Sequence, residues 1–185
     1  MTVPEIRPAT AADLNILTAL MDELRSAMAA INPATELLDP DTLRHHAAGY
    51  ITGFGNLVLL GLAGGQPVGF IRANVRRSEQ VMPLPGRRLP WREALRRRVG
   101  QWRGRKPARP VVYIADLYVR PGHRRQGLAR ALVAQAEAAL AFAGAETAYL
   151  MALADNREGL AFWQSMGFRG ESVVMVKRQT SAGKT

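Results

Sequence analysis

Hydrophobic and polar positions in the first third of this chain follow helical spacing more often than strand spacing. Residues 5–7 alternate like a short strand, which ends at Pro8. A helix is predicted next, because Thr10 or Asp13 can cap it and apolar residues then recur at intervals of three and four. Those apolar residues are Leu14, Leu17, Leu20, Met21, Leu24 and Met28.

A second helix and a hairpin are predicted after a loop. Residues 39–41, Asp-Pro-Asp, supply an N-cap, a proline at the first helical position and an acid in the first turn, so a helix is predicted to about Tyr50. Two strand patterns, 56–62 and 67–75, then flank Gly64-Gly65, which indicates a tight hairpin turn.

The second half of the chain is organised around one almost continuously apolar run, residues 111–119, typical of a buried strand. A strand–helix–strand crossover is predicted from there, which makes the fold class mixed α/β. The later elements are a helix over 127–142 that stops at Gly144, a strand over 147–153, a helix over 156–166 and a strand near 172–177.

Composition narrows the possible chemistry. At 185 residues the chain suits a single domain, predicted over 1–179, with 180–185 as a flexible tail. The absence of cysteine excludes disulfides, a thiolate nucleophile and thiolate zinc sites, and three histidines make a histidine metal site improbable. No apolar leader or membrane-length run is present, so we expect a soluble cytoplasmic protein and no membrane span.

The charge is concentrated in one segment. Residues 76–109 hold twelve basic and two acidic side chains, which equals the whole net charge of +10. Trp91, Leu95, Val99 and Trp102 within it lie at helical spacing and predict an amphipathic helix. Its apolar stripe would pack on the domain or on a dimer mate, and its arginines could instead meet an anionic partner such as nucleic acid, an acidic protein face or a membrane surface.

The turn after the buried strand is the strongest candidate for a binding site. The start of a helix offers unpaired N–H groups and a positive dipole end, and Gly127 lets a phosphate approach the backbone closely. Arg124, Arg125 and Arg130 add positive charge, while Ala129 keeps the turn small. An ordinary helix start with solvated arginines remains the alternative.

Several motifs in the right order resemble the GCN5-related N-acetyltransferase (GNAT) superfamily. They are the strand 114–119, the turn Arg124-x-x-Gly127-x-Ala129 and Asn156 followed by Gly167-Phe168, after an opening segment 6–13. The resemblance implies an acyl-CoA acyltransferase fold, with a central mixed sheet flanked by helices. The basic segment, 76–110, would be an insertion before the central strand.

The resemblance also implies a cofactor and its site. Acetyl-coenzyme A would be the cosubstrate, with no metal. Its diphosphate would lie on the turn, and its pantetheine arm would lie along the strand and near the later helix. The residues implied are Leu117, Tyr118, Val119, Arg124, Arg125, Gln126, Gly127, Leu128, Ala129, Arg130, Asn156 and Trp163. For Asn156, simple capping of the helix is the alternative, and both roles can coexist.

Asp116 is the candidate base or amine anchor. It is the only acid in the buried strand and, by alternation, it is predicted to share a face with Ile114 and Tyr118. A carboxylate there is costly to bury unless it is hydrogen-bonded or used, and related small-amine acetyltransferases carry acids at this place. The alternative is a structural partner for a nearby arginine or backbone N–H.

The general acid is the point where the sequence departs from the family. Trp163 fills the position where the family usually has the tyrosine that protonates the thiolate, and an indole N–H is no proton-transfer acid. Tyr118, Tyr149 or a water would have to substitute; Tyr118 is the weak candidate. The alternative for Trp163 is core packing beside Phe162 and Phe168.

Three functions follow as hypotheses. The first is direct transfer of an acetyl group to a primary amine of a small molecule or protein, with a possible homodimer. The second is a catalytically weak acyl-CoA-binding sensor, and the third is a nucleic-acid-associated acetyltransferase that uses the insertion. Glu36, Asp39 and Asp41 together with Asp116 hint at a cationic amine acceptor, although helix capping explains Asp39 and Asp41 adequately.

Overall fold

The computed structural model describes residues 4–77, 110–141, 144–171 and Met175. Five strands and four α-helices make up the described chain, together with single 3-10 turns at Ala11–Asp13 and Pro121–His123. In order they are β1 Glu5–Pro8, α1 Leu14–Ile31, α2 Pro40–Thr52, β2 Asn56–Ala63, β3 Gln66–Arg77, β4 Pro110–Val119, α3 Leu128–Ala141, β5 Ala148–Leu150 and α4 Arg157–Ser165. The predicted amphipathic helix and the last predicted strand, apart from Met175, lie outside the described residues.

The first helix starts on an ion pair between the partly exposed Arg7 and the buried Asp13. The Asp13 carboxylate accepts hydrogen bonds from both terminal nitrogens of Arg7, at 2.7 and 2.8 Å, and from the backbone N–H and hydroxyl of Thr10, at 2.8 Å each. These bonds hold the pKa of Asp13 far below its ordinary value, because they favour the charged form. The second helix begins as predicted, with the Asp39 side chain accepting from the N–H of Thr42 at 2.9 Å.

The sheet has the strand order β1-β2-β3-β4-β5. Every neighbouring pair is antiparallel except β4 and β5, which are parallel. The hairpin between β2 and β3 turns at Gly64-Gly65, where both glycines have positive φ, so this prediction is confirmed. The mixed sheet flanked by helices confirms the predicted fold class.

Each face of the sheet carries its own apolar core. On one face, α3 packs through Leu128, Leu132, Val133, Ala136 and Leu140 against Ile71, Ala73 and Ile114 of the strands. On the other face, the core joins α1 and α2 to the strands. Its buried members are Leu17, Leu20, Met21, Leu43, Ala47, Val58, Leu60, Leu62, Phe70 and Tyr118. None of the described helices is long and apolar enough to cross a membrane.

A β-bulge in the middle of β4 corrects the predicted strand alternation. Arg72 pairs with Asp116 and Ala73 pairs with Ile114, so Ala115 is the extra residue. Because the bulge shifts the alternation by one residue, Ile114 packs on the α3 face while Tyr118 packs on the α1 and α2 face. The prediction that Asp116 shares a face with Ile114 is therefore wrong. The prediction that Asp116 shares a face with Tyr118 holds.

Two predicted boundaries also change. β5 pairs with β4 only as far as Ile114 and Leu150, immediately before the bulge, so the described strand is three residues long instead of the predicted 147–153. Residues 76, 77 and 110, which the predicted insertion 76–110 included, belong to β3 and β4. That the segment between them is an insertion stays a prediction.

Candidate functional site

A gap opens in the sheet beside the second half of β4. On one side, residues 116–119 pair with β3, from Arg72↔Asp116 to Gly69↔Val119. On the other side, the pairing of β5 reaches only Ile114 in the described chain. Alternate residues within 115–119 consequently turn their backbone N–H and C=O groups toward the gap, where an extended ligand with amide groups can bind. Leu117, Tyr118 and Val119, the predicted pantetheine segment, lie along this gap.

The turn that follows β4 contains two residues with left-handed backbone. Arg125 (φ 62°) and Gly127 (φ 83°) are both left-handed, and Arg125 is the only non-glycine residue with positive φ in the described ranges. Left-handed residues in a turn let backbone N–H groups point toward a bound anion. A Cβ built on Gly127 would meet no protein atom within 4 Å, so the space beside its backbone is open. This open space at the start of α3 fits a diphosphate group.

The side chains around the turn after β4 form two groups: charged or polar side chains at the surface and apolar side chains that pack inward. Arg124 donates from Nε to the carbonyl of Val119 at 3.0 Å and lies 3.7 Å from the carboxylate of Glu158 on α4. Arg125 lies 4.0 Å from the same carboxylate. Arg130 donates to the hydroxyl of Ser165, and Gln126 donates to the carbonyl of Gly122, each at 3.5 Å. Leu128 is instead buried in the apolar core, and Ala129 is partly buried against that core.

Asn156 serves as the N-cap of α4. Its side-chain oxygen accepts from the N–H of Gly159 at 2.9 Å, and a Cβ on Gly159 would come within 2.5 Å of the Asn156 amide nitrogen. The capping alternative is thus realised in the structure. A contact of Asn156 with pantetheine stays a prediction.

Trp163 is partly buried and packs against the core, beside the two phenylalanines that the packing alternative named. Its ring meets Phe162 edge-on with centroids 5.0 Å apart and meets Phe168 in the same manner at 5.3 Å. The tryptophan belongs to the apolar cluster on the α3 face. Its role in holding the cofactor stays a prediction.

Asp116 is paired with an arginine that the sequence reasoning did not single out. Arg72 Nε lies 2.5 Å from the Asp116 carboxylate, and the Arg72 guanidinium lies over the ring of Tyr50, 3.9 Å from its centroid. Both charged side chains are partly exposed, 15% for Arg72 and 22% for Asp116. The pair can still be reached from outside the protein. This ion pair forms because the register of β3 against β4 places the two residues opposite each other. They are 44 residues apart in sequence, so the sequence pattern alone does not predict the pair.

Tyr118 is buried next to a second ion pair. Burial and the nearby Glu23 carboxylate raise the pKa of the Tyr118 phenol, so the hydroxyl keeps its proton at neutral pH. Glu23 in turn accepts from Arg120 at 2.7 and 3.1 Å, which lowers the pKa of Glu23. Sequence reasoning missed Glu23 and Arg120, because they are 97 residues apart and neither lies in a motif.

The three histidines and the alternative acid Tyr149 are scattered over the described chain. His46 lies 6.1 Å from the ring of Tyr50, whereas His45 is exposed and His123 sits in the 3-10 turn after β4. Tyr149 pairs in register with Tyr113 across β4 and β5. Within the residues that the structure describes, no cluster of three or more metal-ligating side chains occurs.

Comparison with known protein families matches residues 19–168 to the acetyltransferase (GNAT) family. No curated protein matches the chain in sequence.

Solved structures of the same fold are numerous. The aminoglycoside N-acetyltransferase AAC(6')-Iy in complex with CoA has 17% identity and a TM-score of 0.67, with 97% of this chain and 96% of that chain covered. The apo aminoglycoside 6'-N-acetyltransferase AAC(6')-IG from Acinetobacter haemolyticus has 21% identity and a TM-score of 0.66, with 96% and 99% covered. A tetramutant of the BH1408 protein from Bacillus halodurans has 16% identity and a TM-score of 0.70, with 95% and 99% covered.

Proposed function

The chain belongs to the acetyltransferase (GNAT) family and uses acetyl-coenzyme A as its cosubstrate, and from this premise we propose that it acetylates a primary amine of a small molecule or protein. The transfer is direct, in a complex of both substrates with the protein. An acyl-cysteine intermediate is excluded because the chain has no cysteine.

The observation that carries the proposal is the gap beside β4 leading to the turn at Gly127. The backbone of residues 115–119 would hold the pantetheine arm by hydrogen bonds, and the N–H groups at the start of α3 would hold the diphosphate. The open space beside Gly127 leaves room for the phosphate oxygens. Arg124 and Arg130, on the rim of that turn, would add countercharge.

The bound cosubstrate supplies an acetyl group activated as a thioester. The acceptor nitrogen must be neutral to form its bond to the carbonyl carbon, and the bond from that carbon to sulfur then breaks. We assign the proton of the incoming amine to Asp116, directly or through a water, since Asp116 lies on β4 at the point where the gap begins. Arg72 orients that carboxylate by its hydrogen bond of 2.5 Å.

The proton for the departing thiolate has no donor at position 163, because Trp163 is an indole packed between two phenylalanine rings. Tyr118 carries its proton at neutral pH but is buried on the opposite side of β4 from the α3 core. We therefore favour protonation from water, with Tyr118 as the weaker alternative.

The test is thiol release from acetyl-coenzyme A with a panel of amines, together with calorimetry of coenzyme A binding. Acetyl transfer to any amine, with product identified by mass, would support the proposal. Binding of coenzyme A with no thiol release would favour the second candidate, a catalytically weak acyl-CoA sensor, which Trp163 in the usual tyrosine position specifically suggests.

Three further expectations stay predictions from the sequence. They are a cytoplasmic location, a homodimer, and a role of the basic segment in binding nucleic acid or another anionic partner.

A further inference from the structure

One face of the central strands changes from apolar to polar along β3. Side chains alternate along a strand, so Phe70, Arg72, Asn74 and Arg76 point to the same face. Phe70 lies in the core beneath α1 and α2, whereas the three residues after it are polar. The polar stretch begins beside Asp116, where the gap in the sheet starts.

Both arginines of this stretch are held in the same way. Arg72 lies over Tyr50 at 3.9 Å, and its Nε is bonded to Asp116. Arg76 lies over Tyr113 at 4.1 Å, and its Nε is bonded to the side-chain oxygen of Asn74 at 2.9 Å. A guanidinium fixed by its ring face and its Nε still has the terminal nitrogens for a bidentate contact with an oxyanion.

The two arginines differ in charge balance. Arg72 and Asp116 form a pair with no net charge, whereas the partner of Arg76 is a neutral amide. Within the described part of this strand face, Arg76 therefore carries a positive charge that no carboxylate balances. The two α-carbons are four residues apart along β3, roughly 13 Å at the usual rise of a strand.

We propose that Arg76 is the anion-binding subsite for the acceptor, so that this protein acetylates amines that also carry a carboxylate or phosphate group. The amine binds at the Arg72–Asp116 pair, and the anionic group reaches along β3 to the terminal nitrogens of Arg76. This inference rests on the proposed function. A polycationic acceptor is disfavoured, because Arg72 already neutralises Asp116 and Arg76 repels a second cation.

The separation of the two subsites selects for acceptor length. Because the two subsites follow one another along β3, an acceptor whose amine and acid are separated by several carbons fits both better than one that carries them on the same carbon. The enzyme should therefore favour ω-amino acids or aminoalkyl phosphates of intermediate length over glycine.

The experiment measures thiol release with three matched series of graded chain length. They are ω-amino carboxylates with the corresponding ω-amino amides, aminoalkyl phosphates, and linear diamines. The wild type should show kcat/KM at least about tenfold higher for anionic acceptors than for the amides of equal length, as expected for a hydrogen bond to a charged group. A stronger preference in the carboxylate or the phosphate series identifies which anion the subsite takes.

Variants locate the effect. Arg76→Gln should raise KM for the anionic acceptors at least about tenfold while leaving kcat and the amide KM unchanged. Arg76→Lys should recover part of the loss. Arg44→Gln, an exposed arginine on α2, is the matched control and should change nothing.

Three results would overturn the inference: equal or faster turnover of diamines, an equal effect of Arg76→Gln on amides and acids, or no turnover of any anionic acceptor. Calorimetry with coenzyme A separates the failures. If diamines are turned over and coenzyme A still binds, only the proposal of an anionic acceptor is refuted. If no amine causes thiol release, the proposed acetyl transfer is refuted as well.

Discussion

Gly127→Val should abolish coenzyme A binding and leave the domain folded. The structure offers a matched control at the other end of the same helix, because Gly144 follows α3 with φ +73° while Gly127 precedes it with φ +83°. A Cβ at either glycine would meet no protein atom within 4 Å. The two substitutions therefore impose the same kind of backbone strain, and the Cβ that each adds lies in open space.

The expected magnitudes are different for stability and for binding. Placing a side chain on left-handed backbone costs about 1–2 kcal/mol at either site. For a chain of this length, that corresponds to a fall of roughly 2–8 °C in Tm. At Gly127 alone, the isopropyl group also fills the space proposed for the diphosphate. Loss of two hydrogen bonds to a charged ligand, at about 1.5 kcal/mol or more each, weakens binding by at least about 10²-fold.

The assay pairs thermal unfolding with calorimetric titration of coenzyme A for both variants. Similar Tm values, with affinity lost only in Gly127→Val, would support the site. Near-wild-type affinity in Gly127→Val would refute the diphosphate assignment, and equal loss of affinity in Gly144→Val would show that strain in α3, not contact with the ligand, is responsible.

Three other predictions address the base, the first helix and the basic segment. Asp116→Asn should lower kcat by roughly 10²-fold with little change in coenzyme A affinity; full activity at every pH would mean that the base lies elsewhere. Asp13→Asn should cost about 1–3 kcal/mol of stability at neutral pH. Because the folded pKa of Asp13 is lowered, its contribution is complete above about pH 4 and is lost as pH falls further, so urea unfolding should show a shallower acid dependence in the variant. Deleting 78–108 with a short glycine-containing bridge should keep coenzyme A affinity and alter oligomeric state or acceptor affinity, measured by light scattering and titration; lost cofactor binding would contradict it.

Local signals in the sequence were sufficient for the elements that depend on neighbouring residues. Asp39-Pro40 started α2, Gly64-Gly65 turned the hairpin, and Gly144 followed the end of α3, each as predicted. These outcomes depend on capping and on the φ angles that glycine and proline favour. The family match confirms the predicted cofactor class. That class could be predicted because the motifs that indicate it are also local in sequence.

Features that depend on register were beyond the sequence pattern. No glycine marks the position of the bulge at Ala115 in the sequence. The bulge shifts the alternation of side chains along β4, so residues before it face the opposite side, relative to those after it, from the side that strict alternation predicts. The Arg72–Asp116 and Glu23–Arg120 pairs join distant parts of the chain, so only the paired strands and the packed helix bring them together. The proposed acceptor subsite depends on this same register.

The gap beside β4 also has a consequence for the rates at which backbone amides exchange with solvent deuterium. Along residues 115–119, N–H groups that face β3 are bonded in the ladder, whereas those that face the gap have no strand partner in the described part of the chain. One strand should therefore show alternating slow and fast exchange in the free protein. Bound coenzyme A would complete the missing ladder, and the fast amides of this strand would become slow.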